Sequence, residues 1–380
     1  MPIACRAKFE HGGAFCAERC PAGPVFSRAR IEGPADVPPA DAGAVDVAVL
    51  DMNHGWPNLG HDSLVHAVQE AACDLAPALQ AAGLRVRVLS YDVRRSGGVP
   101  EDPGGRFGLY LGTGGPGHLD PRKNDGESEG TQGIREDPSW ERPLFELFDA
   151  IQADAEASLL GVCHSFGLLC RWSAAAEPRL RGPQQGGKSS GVLENVLTPE
   201  AQDHPWFGRF ARELPDGRRL RVVDSRLFDL VAPDSRLPDG IVPIGRETLG
   251  VGGPPGEAIT MLEFARDRDG VMPRVFGVNH HPEIVDRSRQ FMLLRRKLKQ
   301  GEVTQDWYAE RAEILTRTYP DENSEQRLHL TSDYTLLGPL RFHLARQLRL
   351  RAARLGRVLD VHEDRVLEEA LRSGTSSLRT

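Results

Sequence analysis

The apolar run Leu159-Leu160-Gly161-Val162 stops at a thiol, Cys163, followed by His164 and Ser165, and resumes as Phe166-Gly167-Leu168-Leu169. A thiol held at a turn from strand to helix meets two needs of a nucleophile. The helix dipole favours thiolate over thiol, and a sharp turn lifts the side chain clear of the sheet. A base is still required. His281 follows the short apolar stretch Phe276-Gly277-Val278, and Glu283 lies two residues on, so both can point to the same side of an extended segment. A carboxylate there can orient the imidazole while the imidazole takes the thiol proton. A carbonyl under attack also needs donors for its developing oxyanion. The backbone N–H groups of His164 and of Gly115, in Gly112-Thr113-Gly114-Gly115-Pro116-Gly117, are the candidates. The set amounts to covalent attack on an amide or acyl carbonyl through a thioester. The plain alternative is a buried, inert cysteine.

These residues need a scaffold, and the chain around them alternates. Residues 44–52 form a β-branched run and 64–83 read as a helix ending at a glycine cap. Residues 84–93 read as a strand, and 106–112 as a strand entering the glycine turn. Residues 140–157 are then helical, and 158–163 form a buried strand feeding the helix that follows Cys163. Strands alternating with helices predict an α/β, doubly wound, mainly parallel sheet covered on both faces. In such sheets the working loops leave the carboxyl ends of strands. The stretches 217–230, 257–266 and 274–284 look like further β-structure, and long helical stretches begin beyond about 299. Three segments are therefore expected: a flexible leader over 1–44, the α/β domain over 45–298, and a helical extension over 299–380 packed on the core or on a second copy of the chain.

Taken in order, these motifs resemble the class I glutamine amidotransferase family. There a Gly-Gly-Pro-Gly oxyanion loop precedes a Gly-x-Cys elbow, and a strand ending in His-Pro-Glu completes a Cys-His-Glu triad. The resemblance covers roughly residues 45–295 and implies a flavodoxin-like layered fold with Cys163, His281 and Glu283 as the triad. It also implies Gly114 beside the substrate and Ser225, in Asp224-Ser225-Arg226, near it. Acyl transfer is the alternative activity: homoserine acyltransferases use a similar scaffold, and Arg226 suits a substrate-carboxylate clamp like theirs. The elbow departs from the family's Gly-x-Cys-x-Gly-x-Gln: Ser165 replaces a glycine, and Gly167 replaces the glutamine that helps position the substrate. That change predicts a roomier pocket and weak use of plain glutamine. His280 stands where the family prefers an aromatic residue.

The resemblance implies a stand-alone enzyme acting on a small-molecule amide or acyl substrate, with a synthetase or other acceptor enzyme as partner. It calls for no cofactor. The second class is a non-catalytic binding or regulatory protein that retains the fold. A net charge of −7 argues against general nucleic-acid binding. No apolar run approaches the roughly 20 residues that cross a bilayer, and the six cysteines are too few for a disulfide framework, so a reduced, cytoplasmic protein is expected. Cys5, Cys16 and Cys20 lack paired zinc-knuckle spacing and read as free thiols, so no metal is expected. Gly182-Pro183-Gln184-Gln185-Gly186-Gly187-Lys188-Ser189 satisfies a phosphate-loop pattern literally but follows no buried strand. Arg341, Arg346, Arg349, Arg351, Arg354 and Arg357 lie on a leucine-spaced helix that reads first as an exposed basic face, with docking of an acidic partner, an anionic substrate or a second copy of the chain as the alternative.

Overall fold

Every residue of Ala44–Asp51 is buried, the mark of a central parallel strand covered on both faces. The computed structural model describes residues 10–11, 25–55, 58–182, 187–233, 236–318, 322–362 and 368. Its strands are β1 (Glu10–His11), β2 (Phe26–Ile31), β3 (Ala44–Asp51), β4 (Arg85–Asp92), β5 (Phe107–Gly112) and β6 (Ser158–Val162). There follow β7 (Glu177–Leu180), β8 (Gly191–Leu197), β9 (Arg219–Asp224), β10 (Phe228–Val231), β11 (Val242–Thr248), β12 (Pro255–Arg266) and β13 (Pro273–Val278). Eleven of them form one sheet in the order β1-β2-β4-β3-β5-β6-β13-β12-β11-β8-β9. From β2 to β13 the pairings are parallel, and the arm from β12 to β9 is antiparallel. β7 and β10 make a separate hairpin-like pair.

The helices sort by face. On one side, Val45, Val47 and Val49 pack under α1 (Leu59–Asp74) and α2 (Ala76–Ala82). On the other, Ala48 and Leu50 belong to a core that includes residues of α4 (Glu141–Ala153) and α5 (His164–Trp172), α3 being the short Val93–Ser96 turn. The period-two alternation of a strand produces this division. The fold is therefore α/β and doubly wound. Asn58 starts α1, its side chain accepting from the Gly60 and His61 amides at 2.6 and 3.2 Å. Gly83 ends α2 in the left-handed conformation.

One part of the chain differs from expectation. The second half of the leader is built into the sheet: Phe26–Ile31 pairs in parallel with β4 from Phe26↔Val86 to Ile31↔Tyr91. Interleaved arginines disguise its alternation. Arg30 is accommodated because Asp51 and Asp92, at the ends of β3 and β4, accept from it at 3.1 and 2.8 Å. Cys5, Cys16 and Cys20 lie outside the described residues. The tail is helical and packs on the core. After α6 (Pro199–Asp203), α7 (Phe207–Glu213), α8 (Arg287–Lys299), α9 (Gln305–Thr318) and α10 (Glu322–Ser332), a π-turn at Asp333–Leu337 leads into α11 (Gly338–Arg354). Leu340, Leu344 and Leu348 of α11 are fully buried in the sheet's core. No described helix is long and apolar enough to cross a membrane.

Candidate active site

Cys163 sits between β6 and α5 with φ 50° and ψ −100°. A non-glycine residue at positive φ is strained and persists only where its surroundings hold it. Here they do. The Cys163 amide donates to Val278 O at 2.7 Å. The Ser165 hydroxyl donates to Thr113 O at 2.8 Å, which pins the first turn of α5 to the glycine loop. Gly112 leaves room for that serine, since a Cβ at 112 would lie 2.4 Å from its hydroxyl. Ser165 thus fastens the elbow to the loop rather than merely fitting where a glycine is usual.

The structure brings Cys163, His281 and Glu283 into one chain of contacts. His281 leaves the end of β13, its amide bound to Val223 O at 2.8 Å. Its Nδ1 lies 2.8 Å from Glu283 Oε1, and its ring also hydrogen-bonds the Cys163 side chain. The Glu283 side chain is fully buried against the start of α1, where a Cβ on Gly60 would come within 2.7 Å of Oε1. Burial acts to lower the His281 pKa, but the Glu283 carboxylate and the Cys163 sulfur outweigh it and hold the imidazole well above its usual range. The site therefore favours imidazolium beside sulfur, the arrangement a thiolate nucleophile needs. The segment is anchored from the far end of the chain: Ser332 Oγ donates to Pro282 O at 2.6 Å. His280 is structural. It is buried, lies 3.4 Å from Thr335 Oγ1, and burial pushes its pKa down to about 3.

Gly114 passes over this pair; a Cβ there would lie 3.0 Å from His281 Cε1 and 3.9 Å from the Cys163 sulfur. No described residue accepts from the Gly115 or His164 amide. Several residues that fix this loop carry no signal in the sequence. The His164 ring is buried and bonds the Gly115 backbone, with burial first and Arg94 and Arg171 next in keeping it neutral. Arg94 donates to Met52 O at 2.9 Å and to Pro116 O at 2.6 Å while forking onto Glu136 at 2.9 and 2.6 Å. It ties the loop after β3 to the loop after β5. Position alone, at the carboxyl end of β4, could have drawn attention to it.

Arg226 is not a substrate clamp. Its guanidinium is buried among Asp224, Asp229 and Glu247, with Nε 3.1 Å from Asp229 and 3.4 Å from Asp224. Arg181 shares Asp229 and Glu247 with it, and the cluster holds the Arg226 guanidinium inside the protein. Ser225, half-buried, follows the end of β9, whose Val223 supports His281. The room expected at Gly167 is also absent: Leu119 fills it, and a Cβ at 167 would lie 2.5 Å from a Leu119 methyl. Lys188 and Ser189 lead into strand β8, not a helix, and Ser189 Oγ donates to Asp224 at 2.6 Å, so the phosphate-loop pattern is coincidental. Residues 183–186 of that pattern lie outside the described residues. Cys170 is buried, and burial pushes its pKa up, as befits a core thiol.

No protein-family model matches this chain, and no curated protein matches it. Among solved structures, the crystal structure of SMU.1228c is 18% identical at a TM-score of 0.40, over 81% of this chain and 99% of that one. A putative GMP synthase subunit from Thermoplasma acidophilum is 12% identical at a TM-score of 0.34, over 63% of this chain and 85% of that one.

Proposed function

We propose that this chain is a thiol-dependent amide hydrolase or transferase of the class I glutamine amidotransferase type. The observation that carries the reading is the strained elbow at Cys163 with its sulfur bonded to His281 and His281 bonded to Glu283. With the proton held on His281, the Cys163 sulfur attacks the amide carbonyl carbon. The oxyanion is met by the Gly115 and His164 amides. Collapse breaks the C–N bond, and the leaving amine takes the proton from His281. Water, activated by the same imidazole, then cleaves the thioester and restores the thiol. The acyl-transfer reading loses its residue with Arg226, so amide cleavage is preferred.

Hydroxylamine intercepts such a thioester. Incubating the protein with glutamine or other γ-glutamyl amides and hydroxylamine should yield the γ-glutamyl hydroxamate, and Cys163→Ala should yield none. Free glutamine should turn over slowly, because position 167 presents no polar side chain to hold it. If no γ-glutamyl amide gives hydroxamate, this substrate class is wrong.

Gly167→Gln tests the pocket. The new side chain must evict the buried Leu119, an overpacking that costs about 1–3 kcal/mol. A lowered denaturant midpoint is expected, with recovery in the double variant Gly167→Gln/Leu119→Ala. A single variant as stable as the parent would show that Leu119 does not occupy that space.

A further inference from the structure

At the amino-terminal ends of β3 and β5, a cleft of about 90 Å³ opens beneath the last turns of α11. Ala157 lines it and Cys163 lies six residues later, about 20 Å along β6, so it is separate from the thiol site. Its wall carries more positive charge than its acids neutralise. Asp46 is the one carboxylate shared by Arg87, at 2.6 and 2.7 Å, and by Arg106. The Arg106 side chain is only 6% exposed, and its Nη2 has no hydrogen-bond partner among the described residues. Arg351 donates only to Arg106 O, at 3.4 Å, and neither Arg351 nor Arg354 pairs with a carboxylate among the described residues. Of the acids of the wall, Glu156 is engaged by arginines, while Asp154 meets only backbone amides among the described residues. Glu156 accepts from Arg268 at 2.7 Å and from Arg346 at 2.8 Å. Asp154 Oδ1 accepts from the Glu156 and Ala157 amides. Gly104 and Gly105 leave the rim bare of side chains.

We propose that this cleft is a binding site for a small, soluble phosphate-bearing ligand, its phosphate seated among Arg106, Arg351 and Arg354. Guanidinium forks match phosphate oxygens, and a dianion suits an uncompensated pair of arginines better than a single carboxylate does. The repulsion it would relieve is visible at Arg351, whose pKa is lowered by burial first and then by Arg354 and Arg87 against the pull of Asp46. The same ligand accounts for two of the arginines along α11, whose leucines are spent on the chain's own core.

Titration calorimetry with inorganic phosphate, at ionic strength held constant with sodium chloride, tests the site. The wild-type chain should bind phosphate and unfold at a higher temperature in its presence. In Arg351→Gln and in Arg354→Gln, both at positions without a carboxylate partner, the apparent dissociation constant should rise at least tenfold with the unliganded melting temperature kept. No phosphate binding beyond the chloride control, or equal binding by both variants, overturns the proposal. Co-sedimentation with phosphatidic acid vesicles, in the absence of any response to inorganic phosphate, would also overturn it by assigning the arginines to a lipid surface.

Discussion

His281→Ala should lower amide turnover by on the order of 10³-fold or more, the loss typical of a removed triad member, and should move Cys163 alkylation to higher pH. The sign follows from the site. With Glu283 and the sulfur holding the imidazole well above its usual range, His281 keeps its proton beside the sulfur through neutral pH. Iodoacetamide should therefore modify the wild-type thiol near neutrality. Without the imidazole, alkylation should wait until the pH approaches the roughly 8.5 of a free cysteine. A rate-against-pH profile that is the same in both proteins would remove His281 from its role. Glu283→Gln should fall between the two, since it leaves the ring held but takes away the carboxylate charge.

Gly115→Ala separates the oxyanion loop from the nucleophile. A Cβ at 115 would lie 2.2 Å from Met52 O and 2.9 Å from Met52 C, both backbone atoms. Met52 O cannot easily withdraw, because Arg94 holds it at 2.9 Å while also gripping Pro116. The loop must shift instead, and with it the amide aimed at the oxyanion. Losing one such donor costs about 10²–10³ in kcat. Alkylation of Cys163 by iodoacetamide should persist at close to the wild-type rate, because that reaction develops no oxyanion. An unchanged kcat would show that the Gly115 amide does not serve the reaction.

How far the site can be read from sequence depends on chain separation. Cys163 with the turn behind it, and His281 with Glu283 two residues on, are local patterns, so strand-turn-helix and extended-segment geometry reveal them. The fate of Arg226 is not local: Glu247, one of the three acids that bury it, comes from β11, a strand with no clear signal in its residues. Nor is Gly167, whose space is taken by Leu119 from a loop on the other side of β6 in the chain order. The parallel half of the sheet is legible because β3, β4, β5 and β6 are runs of buried residues. By contrast β8 and β11 are mostly half-buried and do not alternate cleanly. β2 hides behind Arg28 and Arg30, and its acceptors Asp51 and Asp92 become visible only once the strands are aligned. Ser332 steadies Pro282 across 50 residues of sequence, a contact no spacing rule could supply.

The central claim is that Cys163 is a nucleophile poised for a glutamine-like carbonyl. The most direct measurement is intact-mass analysis after exposure to the diazo-ketone analogue of glutamine. The wild-type chain should gain a single adduct, mapped to Cys163; Cys163→Ala should gain none and His281→Ala should react far more slowly. An adduct that persists in Cys163→Ala, or a wild-type chain left unmodified although iodoacetamide alkylates Cys163, would contradict it.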